Sequence, residues 1–397
     1  MARTAMTMSG GGKLAEHLSV GVLAAAYPME AIAAAVCAAD KRSERVRDLP
    51  AEVVAYYVMA LGLLMAVSTR EVLRVLMEGL RWLGGEGPMK VASKAAISQA
   101  RRRLGPEPLR CLWESSAQPM AEASTPGAFY RDLRLVALDG STLDVPDSAA
   151  NRAHFGKPGA SRGEAAFPQL RLVGLIETGT HSFFAASMGP YAHSENALAE
   201  TVVGALRPGM LCLADRLFAS FGLWQTASAT GADLLWRIRS NLVLPVEQIL
   251  PDGSYLSTFY GSTKERRHQR GGLRVRVIEY QLEGHPDQET YRLMTTLLDP
   301  QQAPAGELAP LYPERWELEG AFDELKTHLR GGQVVLRSKT PELVEQEFYG
   351  LLLAHRAVRT LMLQAAAKAE VDPDRLSFTH TVRVLRRKLA ARPAFSP

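Results

Sequence analysis

Two short apolar segments in the middle of the chain each end at an aspartate. LRLVAL precedes Asp139, and LCLA precedes Asp215. Apolar runs of this length predict buried strands, so both carboxylates are expected at the carboxyl ends of strands, where open α/β sheets place their sites. One such aspartate is commonplace as a turn or a helix cap. Two at neighbouring strand ends repel each other unless a cation lies between them.

The segments around these aspartates predict an α/β sheet covered by helices. LRLVALDGS, QLRLVGLIET and THSFFAASM have strand patterns, and MLCLAD and DLLWRI alternate with helical segments after them. Such an order is typical of a sheet with helices packed on it. Between residues 241 and 309, DGSYLSTFY, LRVRVIEYQLE and ETYRLMTTLL predict a β-rich insertion.

Residues up to about 120 predict an all-helical region. Apolar positions recur with helical period through three segments, the first of them interrupted at Pro28. The most apolar run, residues 53–69, is marginal in length for a membrane span and ends at Arg70. We therefore expect a buried helix there and no membrane partner.

A fourth helical segment of this region, VASKAAISQARRRL, is basic on one side. Ser93 is a good N-cap, and Ile97, Ala100 and Leu104 form an apolar stripe. The remaining residues are expected to face mostly outward, among them Arg101, Arg102 and Arg103. This fits the second helix of a helix-turn-helix, which enters the major groove of DNA; an ordinary basic surface helix is the alternative.

Composition excludes few function classes. The 397 residues are 47% hydrophobic and 22% charged, as in a soluble globular protein, and a net charge of +4 does not by itself indicate a nucleic-acid partner. The distribution is more informative: six Lys or Arg and no acid lie between Arg375 and Pro397, and six lie between Lys264 and Arg276 beside one acid. The cysteines have no metal-ligand spacing and predict buried thiols in a reducing cytoplasm.

Near the C-terminal end, polar residues fall on one helix face. Tyr312, Arg315, Glu319 and Lys326 lie within a wedge of about 60° at 100° per residue. A salt-bridged surface helix would explain them. With Asp139 and Asp215, however, Glu319 would complete a set of three carboxylates. Oxygen-only ligands select Mg²⁺ or Mn²⁺, and two such ions about 4 Å apart can activate one oxygen and stabilise another.

These residues resemble a known family. The spacing Tyr312-x2-Arg315-x3-Glu319-x6-Lys326 matches the Y-R-E-K signature of the "insertion element four" family of bacterial DDE transposases. ALDGSTLDVPDSAAN and MLCLADRLFASFGLW are similar to the two aspartate blocks of that family, and the resemblance covers nearly the whole chain.

The resemblance implies an RNase H-like catalytic core with a β-strand insertion. It makes Asp139, Asp215 and Glu319 the metal-binding triad, holding Mg²⁺ or Mn²⁺, with Tyr312, Arg315 and Lys326 as DNA contacts. Relatives use a tryptophan of the insertion to stack on a flipped base, but none lies between Trp236 and Trp316 here. The aromatic residues that are available instead are Tyr255, Phe259, Tyr260, Tyr280 and Tyr291.

The function expected from this resemblance is cut-and-paste DNA transposition by a cytoplasmic enzyme. Its partners would be terminal inverted repeats and target DNA, bound by a dimer in a paired-end complex. A nuclease without strand transfer and a regulator without catalysis are the alternatives. The expected domains are a DNA-binding domain (1–120), a catalytic domain (126–366) interrupted by the insertion (241–309), and a basic tail (367–397).

Overall fold

The computed structural model describes most of the chain, in the ranges 19–42, 49–81, 92–160, 163–281, 290–329 and 335–390. Contacts between Cα atoms divide the chain into two compact units, each built from separate stretches of sequence. The first unit comprises Met1–Gln118, Leu143–Gln169 and Phe322–Pro397. The second comprises Pro119–Thr142 and Leu170–Ala321. The functional domain boundaries expected from the sequence remain a prediction.

The first unit is mainly helical. Its helices are α1 (Ser19–Ala26), α2 (Met29–Ala38), α3 (Ala51–Leu63), α4 (Thr69–Arg81), α5 (Lys94–Leu104), α6 (Glu107–Ser116), α7 (Ala149–Phe155), α13 (Pro341–Ala369) and α14 (Phe378–Ala390). A small hairpin of β3 (Gly159–Ala160) and β4 (Gly163–Glu164) also belongs to it.

Helices α3 and α13 form the centre of this unit. Every residue of α3 from Val54 to Leu63 is buried, which confirms the buried helix expected from its apolar sequence. The two backbones approach closely because glycine stands at the crossing: a Cβ on Gly350 would lie 2.7 Å from Val58 Cγ1. A larger residue at this position would force the helices apart.

The second unit is built on one mixed sheet. Its strands are β1 (Phe129–Tyr130), β2 (Leu133–Asp144, running into the first unit), β5 (Gln169–Glu177), β6 (Ser182–Pro190), β7 (Met210–Ala214), β8 (Asp233–Arg237), β9 (Gln248–Ile249), β10 (Tyr255–Phe259), β11 (Leu273–Tyr280) and β12 (Tyr291–Thr295). The strand order is β6-β5-β2-β7-β8-β12-β11-β10-β9, with β1 paired to β2. The helices are α8 (Glu195–Val202), α9 (Phe221–Ser228), α10 (Thr263–His268), α11 (Ala305–Leu311) and α12 (Glu317–Asp323), the last ending beyond the unit.

The register of this sheet aligns the strand ends. Strands β2, β7 and β8 run parallel, with Leu138 opposite Ala214 and Ala214 opposite Trp236. Strand β12 then pairs antiparallel with β8, and β11, β10 and β9 follow antiparallel to one another. The insertion expected between residues 241 and 309 therefore extends the central sheet and shares its core, in which Trp224 packs edge-on against Trp236 at 5.1 Å.

Most sequence predictions of secondary structure are confirmed. The first helical segment breaks at Pro28, and Ser93 caps α5 by accepting a hydrogen bond from Ala96 N (3.2 Å). The short helix α10 inside the insertion was not predicted. The expectation of three buried cysteines is wrong, because Cys37 is exposed and Cys111 half-buried.

None of the helices in the described ranges is long and apolar enough to cross a membrane.

Candidate active site

Asp139 and Asp215 lie side by side at the carboxyl ends of β2 and β7. Each directly follows a register-paired residue, Leu138 or Ala214, so parallel pairing brings the two carboxylates together. Both are half-buried. One oxygen of each accepts the next backbone N–H, from Gly140 at 2.7 Å and from Arg216 at 2.6 Å. The two aspartates therefore follow neighbouring strand ends, as the strand pattern predicted.

The Asp139 carboxyl has a high proton affinity. Burial raises its pKa to about 6, the Gly140 N–H and the Arg315 guanidinium lower it, and the charges of Asp215 and Glu195 raise it. Clustered carboxylates in a partly desolvated position favour a neutral form unless a cation compensates them.

The segment 312–319 brings the Y-R-E part of the signature to these strand ends. It is not one regular α-helix: residues Tyr312–Trp316 form a 3₁₀ turn, and α12 follows. A 3₁₀ turn has three residues per turn, so Tyr312 and Arg315 still stack on one face. The Tyr312 hydroxyl donates to Ala214 O (3.3 Å), which fixes this turn on the end of β7.

Arg315 connects two of the three carboxylates. Its Nη1 donates to Asp139 Oδ2 at 2.9 Å, and its Nη2 lies 3.5 Å from Glu319 Oε1. Only 5% of the residue is exposed. Burial lowers the pKa of Arg315, but the anionic groups around it outweigh that effect and raise the pKa overall. Its Nε is buried without a hydrogen-bond partner, so one donor at the centre of the site is unused.

Glu319 differs from the aspartates in exposure. Half of its side-chain surface is open to solvent, and its carboxylate lies one helical turn beyond Arg315. Three carboxylates with a single guanidinium between them carry a net negative charge. Carboxylate oxygens are the ligands that a divalent cation prefers, but in the described structure the oxygens of these three residues do not all lie within 4.8 Å of one another.

Lys326 lies in the π-helical turn Glu324–His328 that follows α12, in the first unit, and is half-buried. Asp323 is exposed, and its Oδ2 lies 2.9 Å from His328 Nε2. Arg330, which would share the same helix face, lies outside the described residues.

The three arginines of α5 are not equivalent. Arg102 and Arg103 are exposed as expected, and Ile97, Ala100 and Leu104 are buried. The expectation that Arg101 faces outward is wrong. Its guanidinium is buried and donates to Gln346 Oε1 at 2.8 Å and Ser338 Oγ at 2.9 Å. Arg101 follows directly on the apolar stripe, and a polar pocket in the helical unit receives its side chain.

Two residues beside the carboxylates were missed by the sequence interpretation. Ala214 on β7 is paired with Trp236 on β8, and Asp215 and Arg237 are the residues that follow them. Arg237 therefore adds a cation next to Asp215 at the sheet edge. Its guanidinium stacks over the Tyr291 ring at 4.4 Å. Glu195, in the first turn of α8, fills the space in which a Cβ on Gly140 would lie, 2.7 Å from Glu195 Cδ. Strand register could have found Arg237; nothing local distinguishes Glu195.

The aromatic residues of the insertion now separate into two groups. Tyr255 and Phe259 are buried, and the Tyr255 hydroxyl donates to Glu279 Oε1 (2.9 Å). Tyr280 and Tyr291 stack on each other with ring centroids 5.4 Å apart. Tyr260 is half-buried. Only this second group, Tyr260, Tyr280 and Tyr291, retains surface for contact with another molecule.

Comparison with known proteins identifies the family of this chain. Residues 17–114 match the insertion element 4 transposase N-terminal family, and residues 130–356 match the transposase DDE domain. The chain is a DDE transposase of the insertion element 4 family. The transposase is 32% identical over 360 residues to "Transposase InsG for insertion sequence element IS4" of Escherichia coli (strain K12), covering 89% of this chain and 79% of that protein. It is 30% identical over 196 residues to "Putative transposase InsZ" of the same organism, covering 49% and 64%.

Among solved structures, the transposase aligns with the piggyBac transposase synaptic complex with hairpin DNA, with a TM-score of 0.49 and 10% identity over 96% of this chain and 83% of that chain. This likeness is too weak to transfer any property. The DDE domain, together with the mixed sheet, confirms the predicted RNase H-like core, and membership of the family implies dependence on a divalent metal and binding to DNA.

Proposed function

We propose that this transposase performs cut-and-paste transposition at a site formed by Asp139, Asp215 and Glu319. It would cleave DNA at the terminal inverted repeats of its own element and join the freed ends to target DNA. Two observations support this most directly: Asp139 and Asp215 follow register partners on the paired strands β2 and β7, and Arg315 contacts both Asp139 and Glu319.

The three carboxylates would hold two divalent ions, Mg²⁺ or Mn²⁺. When bound, such ions supply an activated water and stabilise the leaving oxygen of a phosphodiester. Glu319 is well suited to receive an ion, because its carboxylate is half exposed and lies 3.5 Å from Arg315, a long contact. The unused Arg315 Nε is a further donor that an incoming phosphate oxygen or an ordered water can satisfy.

The cationic side chains have separate tasks in this proposal. Arg315 orients Asp139 and Glu319 and offers a planar donor set to phosphate, whereas Lys326 supplies a point charge. Tyr312 holds the 3₁₀ turn on β7 through Ala214 and presents its phenol beside Asp215. Arg102 and Arg103 on α5 would bind the DNA backbone or bases at the transposon end; the buried Arg101 is withdrawn from that group.

Two in-line displacements follow from such a site. A water attacks the phosphodiester at the transposon end and frees a 3′-hydroxyl, and that hydroxyl then attacks a second phosphodiester. No covalent intermediate with the protein is required, so positioning and charge stabilisation supply the rate enhancement. A dimer in which each subunit binds one end and acts at the other would complete the paired-end complex.

The test uses purified protein with duplex DNA carrying the element's terminal inverted repeat. We expect strand cleavage and joined products with Mg²⁺ and neither with EDTA. Cleavage without joined products would replace the proposal with a nuclease. Binding without cleavage at any Mg²⁺ or Mn²⁺ concentration would replace it with a regulator. Sedimentation of the DNA complex measures whether two protein chains are present.

A further inference from the structure

The segment 260–272 connects β10 to β11, and we call it the basic hairpin. It contains a helix that contributes no buried side chain to the core. Helix α10 lies within it and buries none of its residues. A six-residue helix is at best marginally stable by itself in water, and in α10 only Arg266 is half-buried while the other residues are exposed. Its sequence is nevertheless strongly cationic.

Four cations of the basic hairpin form no ion pair with any acid in the described part of the chain: Lys264, Arg266, Arg267 and Arg270. The one acid among them, Glu265, accepts a hydrogen bond from Ser262 Oγ at 3.0 Å. The cations on the adjoining strand are instead compensated. Arg274 pairs with Glu247, and the fully buried Arg276 pairs with Asp252. The hairpin therefore concentrates uncompensated positive charge on one exposed surface.

The basic hairpin lies at the end of the sheet opposite to the carboxylates. Directly paired residues run across the sheet from Ala214 on β7 to Trp236, Met294, Val277 and Tyr255 on the successive strands. Strand β10 runs from Tyr255 away from the carboxylate edge and ends at Phe259, directly before the hairpin. At a rise of about 3.3 Å per residue and a spacing of about 4.8 Å per strand, Phe259 lies roughly 25 Å from Asp215.

We infer that the basic hairpin binds phosphates of duplex DNA at a fixed distance from the bond that the carboxylates cleave. Phosphate contacts need accessible cations and no base-reading geometry. Lys264, Arg267 and Arg270 are exposed, and Arg266 is half-buried. A separation of roughly 25 Å corresponds to about seven base pairs at 3.4 Å per base pair. This inference rests on the proposed function, because it takes the scissile bond to lie at Asp139, Asp215 and Glu319.

The test compares two double variants that each remove two positive charges. Arg267→Gln with Arg270→Gln changes the basic hairpin. Arg207→Gln with Lys368→Gln is the matched control, since both of these residues are exposed and lie away from the hairpin in sequence. Affinity for a duplex containing the inverted repeat and its flanks is measured at several salt concentrations. Phosphate ethylation interference then identifies the contacted phosphates.

We expect the hairpin variant to bind about tenfold more weakly and to show a salt slope shallower by about two, close to 0.9 for each lost phosphate contact. Ethylation of phosphates about seven base pairs from the cleavage site should interfere with wild-type binding and not with the variant. Interference inside the inverted repeat assigns the contact to transposon DNA, and interference outside it assigns the contact to flanking DNA.

Equal affinity, salt slope and interference pattern in the hairpin variant and the wild type would overturn the inference. A loss of equal size in the control variant would also overturn it, because the effect would then follow net charge. The experiment distinguishes failure of the hairpin contact from failure of the proposed function. Wild-type protein that cuts the end with Mg²⁺ while the hairpin variant binds normally refutes only the hairpin contact.

Discussion

Arg315 Nη1 donates a hydrogen bond of 2.9 Å to Asp139 Oδ2, across 176 residues of sequence. The same guanidinium lies 3.5 Å from Glu319, four residues later on its own helix. One buried cation thus links a strand-end carboxylate to a helix carboxylate. Because Arg315 is charged at every accessible pH, it fixes the relative positions of these two groups before any metal or DNA binds.

Glu319→Gln is expected to abolish cleavage and to leave binding to transposon ends nearly unchanged. Glutamine retains the shape and can accept from Arg315, but a neutral amide is a poor ligand for Mg²⁺. Gel-shift affinity and Mg²⁺-dependent cleavage are measured on the same preparation. Asp323→Asn, a change at an exposed acid paired with His328, is the control and should cleave normally. Cleavage by the Gln variant would remove Glu319 from the triad.

Arg315→Lys is expected to lower the cleavage rate by about 10²-fold, the range found when one positioned donor is removed from an active site. Lysine keeps the charge but cannot reach Asp139 and Glu319 together, because its ammonium is a single point. Single-turnover cleavage at saturating DNA measures this effect. Arg207→Lys, an exposed exchange, serves as the control. A rate within a factor of about two of wild type would show that charge alone suffices.

In metal-free protein, the contribution of Asp139 to the stability should decrease as the pH rises from about 4 to 6. The folded pKa of Asp139 is raised to about 6, whereas an unfolded aspartate titrates near 3.9. Within this window the Asp139 carboxyl binds more protons in the folded state than in the unfolded state. Its contribution to the free energy of unfolding therefore falls with increasing pH, by up to about 3 kcal/mol. Thermal unfolding in EDTA measures it, and Asp139→Asn should flatten the dependence. Identical pH profiles for the two proteins would contradict the assignment.

The arginines of α5 should give opposite phenotypes. Arg102→Ala with Arg103→Ala should weaken binding to transposon ends and reduce its salt dependence, because exposed arginines contact phosphate or bases. Arg101→Ala should instead destabilise the fold by about 2–4 kcal/mol, since it leaves the buried Gln346 and Ser338 without their donor. End-binding affinity and urea unfolding are measured for each variant. Binding loss without a stability loss in Arg101→Ala would return this residue to the DNA-binding group.

Local signals in the sequence predicted most of the secondary structure and supplied most of the candidate residues. Apolar runs that end in Asp139 and Asp215 predicted two buried strands, and the spacing of Tyr312, Arg315 and Glu319 predicted a shared helix face. The strand prediction succeeds because strand periodicity depends on near neighbours. The prediction of one regular helix is wrong, because a 3₁₀ turn precedes α12 and a π-helical turn follows it. Arg101 shows the limit: its position beside the apolar stripe was visible, but the pocket formed by Gln346 and Ser338 comes from more than 230 residues later.

The sequence by itself determined which side chains are the candidates for the chemistry, since carboxylate, guanidinium and phenol groups at these spacings are properties of the covalent chain. Only the tertiary structure decided how they combine. Parallel pairing of β2 with β7 sets Asp139 beside Asp215, and the 3₁₀ turn resting on Ala214 sets Arg315 against Asp139. Pairing of β7 with β8 places Arg237 next to Asp215 along the sheet edge, and the antiparallel strands beyond β8 leave the basic hairpin at the far end of the sheet. Strand register and burial arise from contacts between distant segments, which no local pattern encodes.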